Sequence, residues 1–396
     1  MEKQLQPKLR FPEFDGDWEK TNIKSATINQ NNKRKPLKDS DRVNLEKKYP
    51  YYGASGIIDY VDNYLFDGEY LLLGEDGANI ISRNSRLVFI AKGKFWVNNH
   101  AHIFSAKSNY DIRFLSDRLE HINYVIYNTG TAQPKLNSAV VANIEFNSPS
   151  LPEQQKIADY LSTIDEKITL LEEKKTELSR YKKAMMQKLF SQEIRFKDEN
   201  GNDFSDWEKV QLKDILIEHK EKNKGDKYDE VLSVAKMKGV INQIEHLGRS
   251  YSAEKIDHYK VINPFDIVYT KSPTSGFPFG IIKQNKLNRS GVLSPLYAVF
   301  KPKTKYLGMI LHDIFLSEVE TYNYLVPLVQ KGAKNTMNIN NDEFLKGKKY
   351  SLPTSEKEQQ KIADFLSAID ESIDKVSEQI KETQSFKKAM LQQMFV

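Results

Sequence analysis

Apolar side chains recur in this chain at alternating steps of four and three in two separate places. The first series is Ile157, Leu161, Ile164, Ile168, Leu171, Leu178, Met185 and Leu189; the second is Ile362, Leu366, Ile369, Ile373, Val376, Ile380, Met390 and Met394. A period of 3.5 predicts a seam between supercoiled helices rather than the broader stripe of an ordinary surface helix. The two series are copies of one segment. EQQKIADYLSTIDEKI from Glu153 returns as EQQKIADFLSAIDESI from Glu358, and 21 of the 38 aligned positions through Phe190 and Phe395 are identical. About 36 residues at ~1.5 Å rise make each a rod of roughly 50 Å, the length of a spacer. Ser150 with Glu153 and Ser355 with Glu358 read as capping boxes, and Pro152 is tolerated in a first turn whose amides lack intrahelical acceptors. The seam is interrupted at Lys175, Thr383 and the equivalent pair Lys182 and Lys387. These either fix register or lie at fraying ends with their amines in solvent, and the second is the expectation.

A weaker repeat precedes each remaining stretch: Leu9-Arg10-Phe11 then Asp17-Trp18-Glu19-Lys20, and Ile194-Arg195-Phe196 then Asp206-Trp207-Glu208-Lys209. A Trp and a Phe there are expected to clip each half onto its core. Each half is thus a lead-in, a globular domain and a helix, with bounds 1–150 (lead-in 1–20), 151–192, 193–352 (lead-in 193–209) and 353–396. Joining the termini would reproduce the Phe190–Ile194 junction, so a pseudo-two-fold axis with antiparallel helices is expected. Three landmarks recur in order between the otherwise unlike domains. KYPYYGASGIIDYV from Lys48 matches EVLSVAKMKGVINQ from Glu230, FDGEYLLLGEDGAN from Phe66 matches INPFDIVYTKSPTSG from Ile262, and NTGTAQPKLN from Asn128 matches VQKGAKNTMNIN from Val329. Runs such as Arg86–Lys92 and Gly291–Phe300 read as strands, while Asp111–Asn128 and Leu307–Val329 read as helices. The fold class expected is α+β: two mixed α/β domains joined by two long antiparallel coiled-coil helices.

A chain of 396 residues, 39% hydrophobic and 29% charged, suits two or three polar globular domains. No apolar run is long enough to cross a bilayer and no signal pattern opens the chain, so a cytoplasmic protein is expected. The absence of cysteine excludes disulfides, thiol nucleophiles and thiolate zinc sites. The net charge of +5 is unevenly spread: Lys20–Ser150 carries +4 (17 basic, 13 acidic) and Lys209–Leu352 carries +8 (23 basic, 15 acidic). Positive charge concentrated on the globular parts is what phosphate neutralisation needs.

With these features the whole chain resembles the specificity subunits of type I restriction-modification systems. The resemblance rests on two variable domains alternating with two repeated helical regions, on LPEQQKIADYLSTID and EQQKIADFLSAID, and on YYGASGIIDYVDNYLFDGEYLLLGEDGAN, which looks like a target-recognition domain. It implies that each domain reads one half of a bipartite double-stranded DNA site while the helices set the unread spacer. It also implies docking of two modification (methyltransferase) subunits on the repeated helices, and partnership with two restriction (motor-nuclease) subunits. By the same resemblance, S-adenosylmethionine, ATP and Mg²⁺ belong to the partner subunits and this chain binds no cofactor.

The residues themselves agree in lacking catalytic motifs. There is no phosphate loop, no glycine-rich dinucleotide turn and no H-E-x-x-H. Asn263-Pro264-Phe265 lacks the second proline of an adenine methyltransferase motif and reads as structural. His100 and His102 share a strand face without an evident third metal ligand. The adjacent carboxylates Glu75 and Asp76 suit cytosine reading or loop structure better than catalysis. Candidate DNA contacts fall on the recurring loops: Tyr51, Tyr52, Ser55, Glu75, Asp76, Asn79, Thr131, Gln133 and Lys135 in the first domain. In the second they are Lys236, Lys238, Lys271, Ser272, Thr274, Ser275, Lys331, Lys334, Asn335 and Asn338. Gln and Asn pair bidentately with adenine, Lys reaches guanine, and hydroxyls reach phosphate. The run Lys33-Arg34-Lys35 with Lys38 and Arg42 is either a backbone track or a solvated loop. Near-identity of the helices beyond the seam, at Glu153-Gln154-Gln155-Lys156 and Lys182-Lys183-Ala184-Met185, suggests that their outer faces meet the same partner. A structural organiser that binds only proteins, a coiled-coil scaffold without DNA, is one alternative, and an enzyme in its own right is another.

Overall fold

The computed structural model describes residues 6–236, 238–249, 255–331 and 337–396. The chain forms two compact units, Met1–Lys175 with Val376–Val396, and Thr176–Lys375. The division falls midway along both long helices, Leu151–Phe190 and Glu356–Met394. Both units are mixed α/β. No helix among the described residues is long and apolar enough to cross a membrane.

The first unit contains β1 (Glu19–Asn22), β2 (Thr27–Asn29), β3 (Tyr49–Gly53), β4 (Gly56–Val61), β5 (Phe66–Gly74), β6 (Val88–Val97), β7 (Ala101–Ala106) and β8 (Glu145–Ser148). β1 pairs with β8, and the main sheet runs β2-β7-β5-β6-β3-β4, with β3 parallel to β6. Central β5 explains its unbroken Leu71-Leu72-Leu73. Leu71 and Leu73 enter the core formed with Phe114 and Leu115, while Leu72 turns to Phe66, Phe95 and Ile103 on the other face. A strand covered on both sides loses the polar alternation of a half-solvated one. The expected helix from Asp111 spans only Ile112–Glu120. Asp111 caps it, and a separate 3-10 turn, Tyr124–Tyr127, starts from the Asn123 side chain.

The second unit repeats the plan with β9 (Glu208–Val210), β10 (Leu216–Glu218), β11 (Leu232–Ala235), β12 (Gly239–Asn242), β13 (Lys260–Ile262), β14 (Ile267–Tyr269), β15 (Ile282–Gln284), β16 (Gly291–Leu293), β17 (Ala298–Pro302), β18 (Gln330–Lys331), β19 (Met337–Asn338) and β20 (Tyr350–Leu352). Its sheet runs β10-β17-β14-β15, the counterpart of β2-β7-β5-β6, and β9 pairs with β20 as β1 does with β8. The strand expected over 291–300 is two strands, because Pro295 offers no amide and Tyr297 N–H turns back to Ser294 O. The helix expected over 307–329 is likewise two, Lys305–Ile314 and Glu318–Leu325, the second capped by Ser317.

In the first unit the opening of the first long helix shares a core with the close of the second: Ile157, Leu161 and Ile164 with Met394, flanked by Ile168 and Met390. In the second unit Leu189 shares a core with Ile362 and Leu366, flanked by Met186 and Phe190. Ile369 and Val376 are buried, and Leu171 and Ile373 half-buried.

Two expectations about these helices are corrected. Glu153 and Glu358 do not close capping boxes. Each buried carboxylate receives a lead-in arginine, Arg10 (2.8 Å from Nε and from Nη2) and Arg195 (3.1 and 3.0 Å), and Trp18 Nε1 also donates to Glu153. A charge-assisted bidentate pair with a cation outcompetes a single backbone amide. Nor do Lys182 and Lys387 reach solvent at fraying ends. Lys182 is 6% exposed and donates to Asp313 and Asp370, both at 2.7 Å. Lys387 donates to both oxygens of Asp165 at 2.6 Å. Asp165 and Asp370 are themselves repeat equivalents, so each copy's Lys meets the other copy's Asp. Burial would lower the Lys182 ammonium, but Asp313 and Asp370 outweigh it and hold it above the ordinary lysine range.

Candidate nucleic-acid interface

In the first unit the three recurring loops come to one end of the sheet. Gly74, closing β5, sits where a Cβ would meet Ala54 O at 2.6 Å, so the β3–β4 tip lies directly against the loop from Glu75. That loop is zipped to the segment from Asn128: Leu136 N–H donates to Glu75 O (2.7 Å) and Gly77 N–H to Pro134 O (3.0 Å). Asn128 shapes the last loop from within, its Oδ1 accepting the amides of Gly130 (3.0 Å) and Lys135 (2.8 Å). A Cβ on Gly130 would collide with Gln133 O, so the turn requires glycine. The result holds Thr131, Ala132 and Gln133 outward on a fixed base, with Ser55 exposed at the neighbouring tip.

Several of the expected contact residues are instead the framework of this site. Tyr51 is 1% exposed, its hydroxyl accepting Leu37 N–H (2.9 Å), and it leaves the set of candidate contacts. Tyr52 packs between Phe89 and Phe95 and is only partly accessible. Asn79 is spent on the backbone of Ser85 in both directions, at 3.0 Å each way. Glu75 is the hub of the loop rather than a free reader: it takes Arg34 at 2.7 Å and Lys135 at 3.4 Å, with His102 Nδ1 at 3.6 Å. Burial would raise its carboxyl, but Arg34 and Lys135 hold it below the usual range. A carboxylate already saturated by cations gains little from a cytosine amine. Asp76 diverges from it to pair with His100 (2.9 Å).

His102 is fully buried, receiving Asn31 Nδ2–H on Nδ1 (2.9 Å) and donating from Nε2 to Leu136 O (2.7 Å), and burial depresses its pKa. It is a structural histidine, and no group of three His, Asp or Glu that could hold a metal occurs among the described residues. The run from Lys33 is neither a solvated loop nor a full phosphate track. Arg34 is locked on Glu75, Arg42 on Asp59 and Asp39, and Trp96 Nε1 donates to Lys35 O (2.6 Å), leaving Lys33, Lys35 and Lys38 exposed.

In the second unit Lys236 pairs with Glu318 (2.6 Å), while Lys238 is exposed beside His246. Thr274 and Phe277 close a tight turn by mutual amide bonds of 3.0 and 2.7 Å, presenting Ser272 and Ser275 outward. Lys271 stands at φ 61°, half-buried, with its amine pushed down by burial. Lys331, Lys334, Asn335 and Asn338 lie outside the residues whose side chains are described. A basic cleft escaped the sequence reading: Lys220, Lys222, Lys224 and Lys227 line a cavity of about 580 Å³. Lys260, whose ammonium donates to Tyr297 O (2.6 Å), is pushed down by burial and by Lys271, Lys220 and Lys222 nearby. Four lysines in the eight residues 220–227 were the available signal.

Residues 16–180 match the family described as the type I restriction modification DNA specificity domain. A protein of Haemophilus influenzae named as a type I restriction enzyme specificity subunit is 38% identical over 134 residues, 34% of each chain. The EcoprrI type I specificity subunit of Escherichia coli is 31% identical over 136 residues, 34% of this chain and 32% of that one. These matches span about a third of the length of the curated relatives. The crystal structure of the type I restriction-modification S subunit from M. genitalium shares the fold over 99% of both chains, with a TM-score of 0.64 at 14% identity.

Proposed function

We propose, from a chain whose residues 16–180 match the type I restriction modification DNA specificity domain, that the protein is the sequence-reading, non-catalytic subunit of such a complex. Each α/β domain reads one half of a bipartite DNA site. The observation that carries this reading is the loop platform of the first unit, where Ser55, Thr131, Gln133 and Lys135 stand exposed on a base fixed by Asn128, Gly130 and Glu75. The four-strand order shared by the second unit bears different loops, with Lys238, Ser272 and Ser275 exposed, and that unit also carries a lysine cleft. One scaffold with two tips suits two unlike half-sites. The long helices, paired antiparallel as a coiled coil about a pseudo-two-fold axis, set the unread spacer.

The helices also dock two copies of a methyltransferase subunit, which carries S-adenosylmethionine, while two motor-nuclease subunits bring ATP and Mg²⁺. Identity at Glu153, Gln154 and Lys182 is accounted for by bonds inside the chain. Identity at the exposed pairs Gln155 and Gln360, Glu166 and Glu371, and Glu173 and Glu378 is not. These positions lie two residues from seam positions, about 200° around the helix at ~100° per residue, on the outer face. A mostly acidic outer stripe in two copies fits one basic partner surface bound twice. Alanine at Gln133 and Lys135 together is expected to weaken methylation of sites defined by the first half without unfolding the chain. Unchanged site preference and affinity in a methylation assay with the partner subunit would refute the assignment of that loop.

A further inference from the structure

One buried charge of the second unit has no use in the site described above. Lys283 is the middle residue of β15, the outer strand of its sheet, and is 2% exposed. Strand register gives its place in the scaffold: Lys283 stands opposite Val268 of β14, as Phe89 of β6 stands opposite Leu72 of β5 in the first unit. Phe89 packs against the apolar cluster of Leu72 and Phe95 and stacks on Tyr52. Where one domain fills this position with a ring, the other installs an amine. A buried ammonium normally acquires a carboxylate or several acceptors, because losing its hydration uncompensated is costly. Among the described residues, Lys283 Nζ has neither an ion pair nor a hydrogen bond; burial, with Lys286 and Lys236 adding to it and the more distant charge of Asp313 opposing them, lowers its pKa to about 8.

A second buried donor faces the same space. His312, 6% exposed, accepts Gln284 N–H on Nδ1 at 3.0 Å, which leaves its own proton on Nε2, without a partner among the described residues. Both side chains line a cavity of about 410 Å³, together with Lys238 and Lys286. Two carboxylates also line it: Asp370 is held by Lys182 (2.7 Å) and Lys286 (3.4 Å), and Asp374 lies exposed at the rim.

We propose that this cavity is a binding site for a phosphate-type anion, whose oxygens accept from Lys283 Nζ and His312 Nε2–H while Lys238 and Lys286 supply positive charge at the mouth. An oxyanion matches what is missing: acceptors for Lys283 Nζ and His312 Nε2–H, the two donors that Asp370 and Asp374 leave unpaired in the cavity. The phosphate comes either free in solution or on a nucleic-acid backbone. The site does not depend on the sequence reading proposed above, since neither source requires a particular base.

The test uses the full chain and measures acetylation of Lys283 at pH 8 by peptide mass spectrometry, with exposed Lys183 as the internal reference. Ionic strength is held constant with chloride, and the arms contain inorganic phosphate or a random-sequence duplex. An occupied site slows Lys283 labelling at least five-fold relative to Lys183. Protection by phosphate assigns a free anion, and protection by duplex alone assigns the DNA backbone. By calorimetry Lys283→Met, which restores an apolar side chain where the other domain has Phe89, weakens binding of the protecting species at least ten-fold. Labelling unaffected by either species overturns the site, as does unchanged affinity in the variant. If the variant does not fold, the protection experiment on the unaltered chain decides alone.

Discussion

Replacing Lys182 by methionine keeps the length of the side chain and removes its charge. In the second unit this strips the cation from Asp313, which is 4% exposed and bound at 2.7 Å, while Asp370 retains Lys286 at 3.4 Å. Orphaning one partner of a buried pair costs ~3–5 kcal/mol. The repeat-equivalent change, Lys387→Met in the first unit, orphans Asp165, whose side chain is 49% exposed and open to water. There the loss is about 1 kcal/mol or less. The two substitutions occupy the same position of the same repeated segment, so the difference isolates burial from helix propensity. Native-state hydrogen exchange of the full chain reads each unit separately. Lys182→Met is expected to speed the slowest amides of the second unit by roughly 10²-fold or more, at tenfold per ~1.4 kcal/mol, with those of the first unit unchanged. Lys387→Met is expected to speed the first unit less than about tenfold. Adding Asp313→Asn to Lys182→Met should recover part of the loss, because a neutral amide is less costly to bury than an unpaired carboxylate. Equal effects of the two lysine substitutions, or a larger one at Lys387, would refute the reasoning.

Glu75 has a folded pKa below its ordinary value, so its contribution is present above pH ~4.3 and is lost as pH falls through the lower folded value. Amide protection of residues 75–77 and 135–136 should therefore decline in acid, and Glu75→Gln should lower it by ~1–3 kcal/mol already at pH 7 and flatten the acid decline; a pH profile identical to the unaltered chain would contradict the hub role. Gly130→Ala should displace the turn carrying Thr131 and Gln133, reducing DNA affinity in gel shifts by at least ten-fold at a stability cost of ~1–3 kcal/mol that leaves the chain folded; undiminished binding would show that this turn is not a contact.

The repeat was legible because identity over a long helix survives in the sequence, and the shared scaffold because strand landmarks kept their order around the loops. What side chains in the repeat do was less legible. Glu153 three residues after Ser150 has the spacing of a capping box, yet the deciding partner, Arg10, lies 143 positions away and only the fold brings them together. Lys182 looks like a break in an apolar seam until Asp313 and Asp370 arrive beside it. Among the loops, polarity marked candidates without separating presenters from framework: Gln133 is exposed, whereas Tyr51 and Glu75 hold the platform from inside. Lys283 was invisible for a different reason. One lysine among many signals nothing until strand register sets it against Phe89 of the other domain.

The central claim, two reading domains held at a set separation by the paired helices, is tested most directly by genome-wide mapping of methylated adenine in cells carrying the complete system. The map is made once with the unaltered chain and once with four residues, about one helical turn, deleted from one long helix. The account predicts two short blocks of fixed bases separated by an unread gap, and a deletion map in which the gap changes length while both blocks keep their bases. A single continuous recognition block, or a deletion that alters the bases and leaves the gap unchanged, would contradict it.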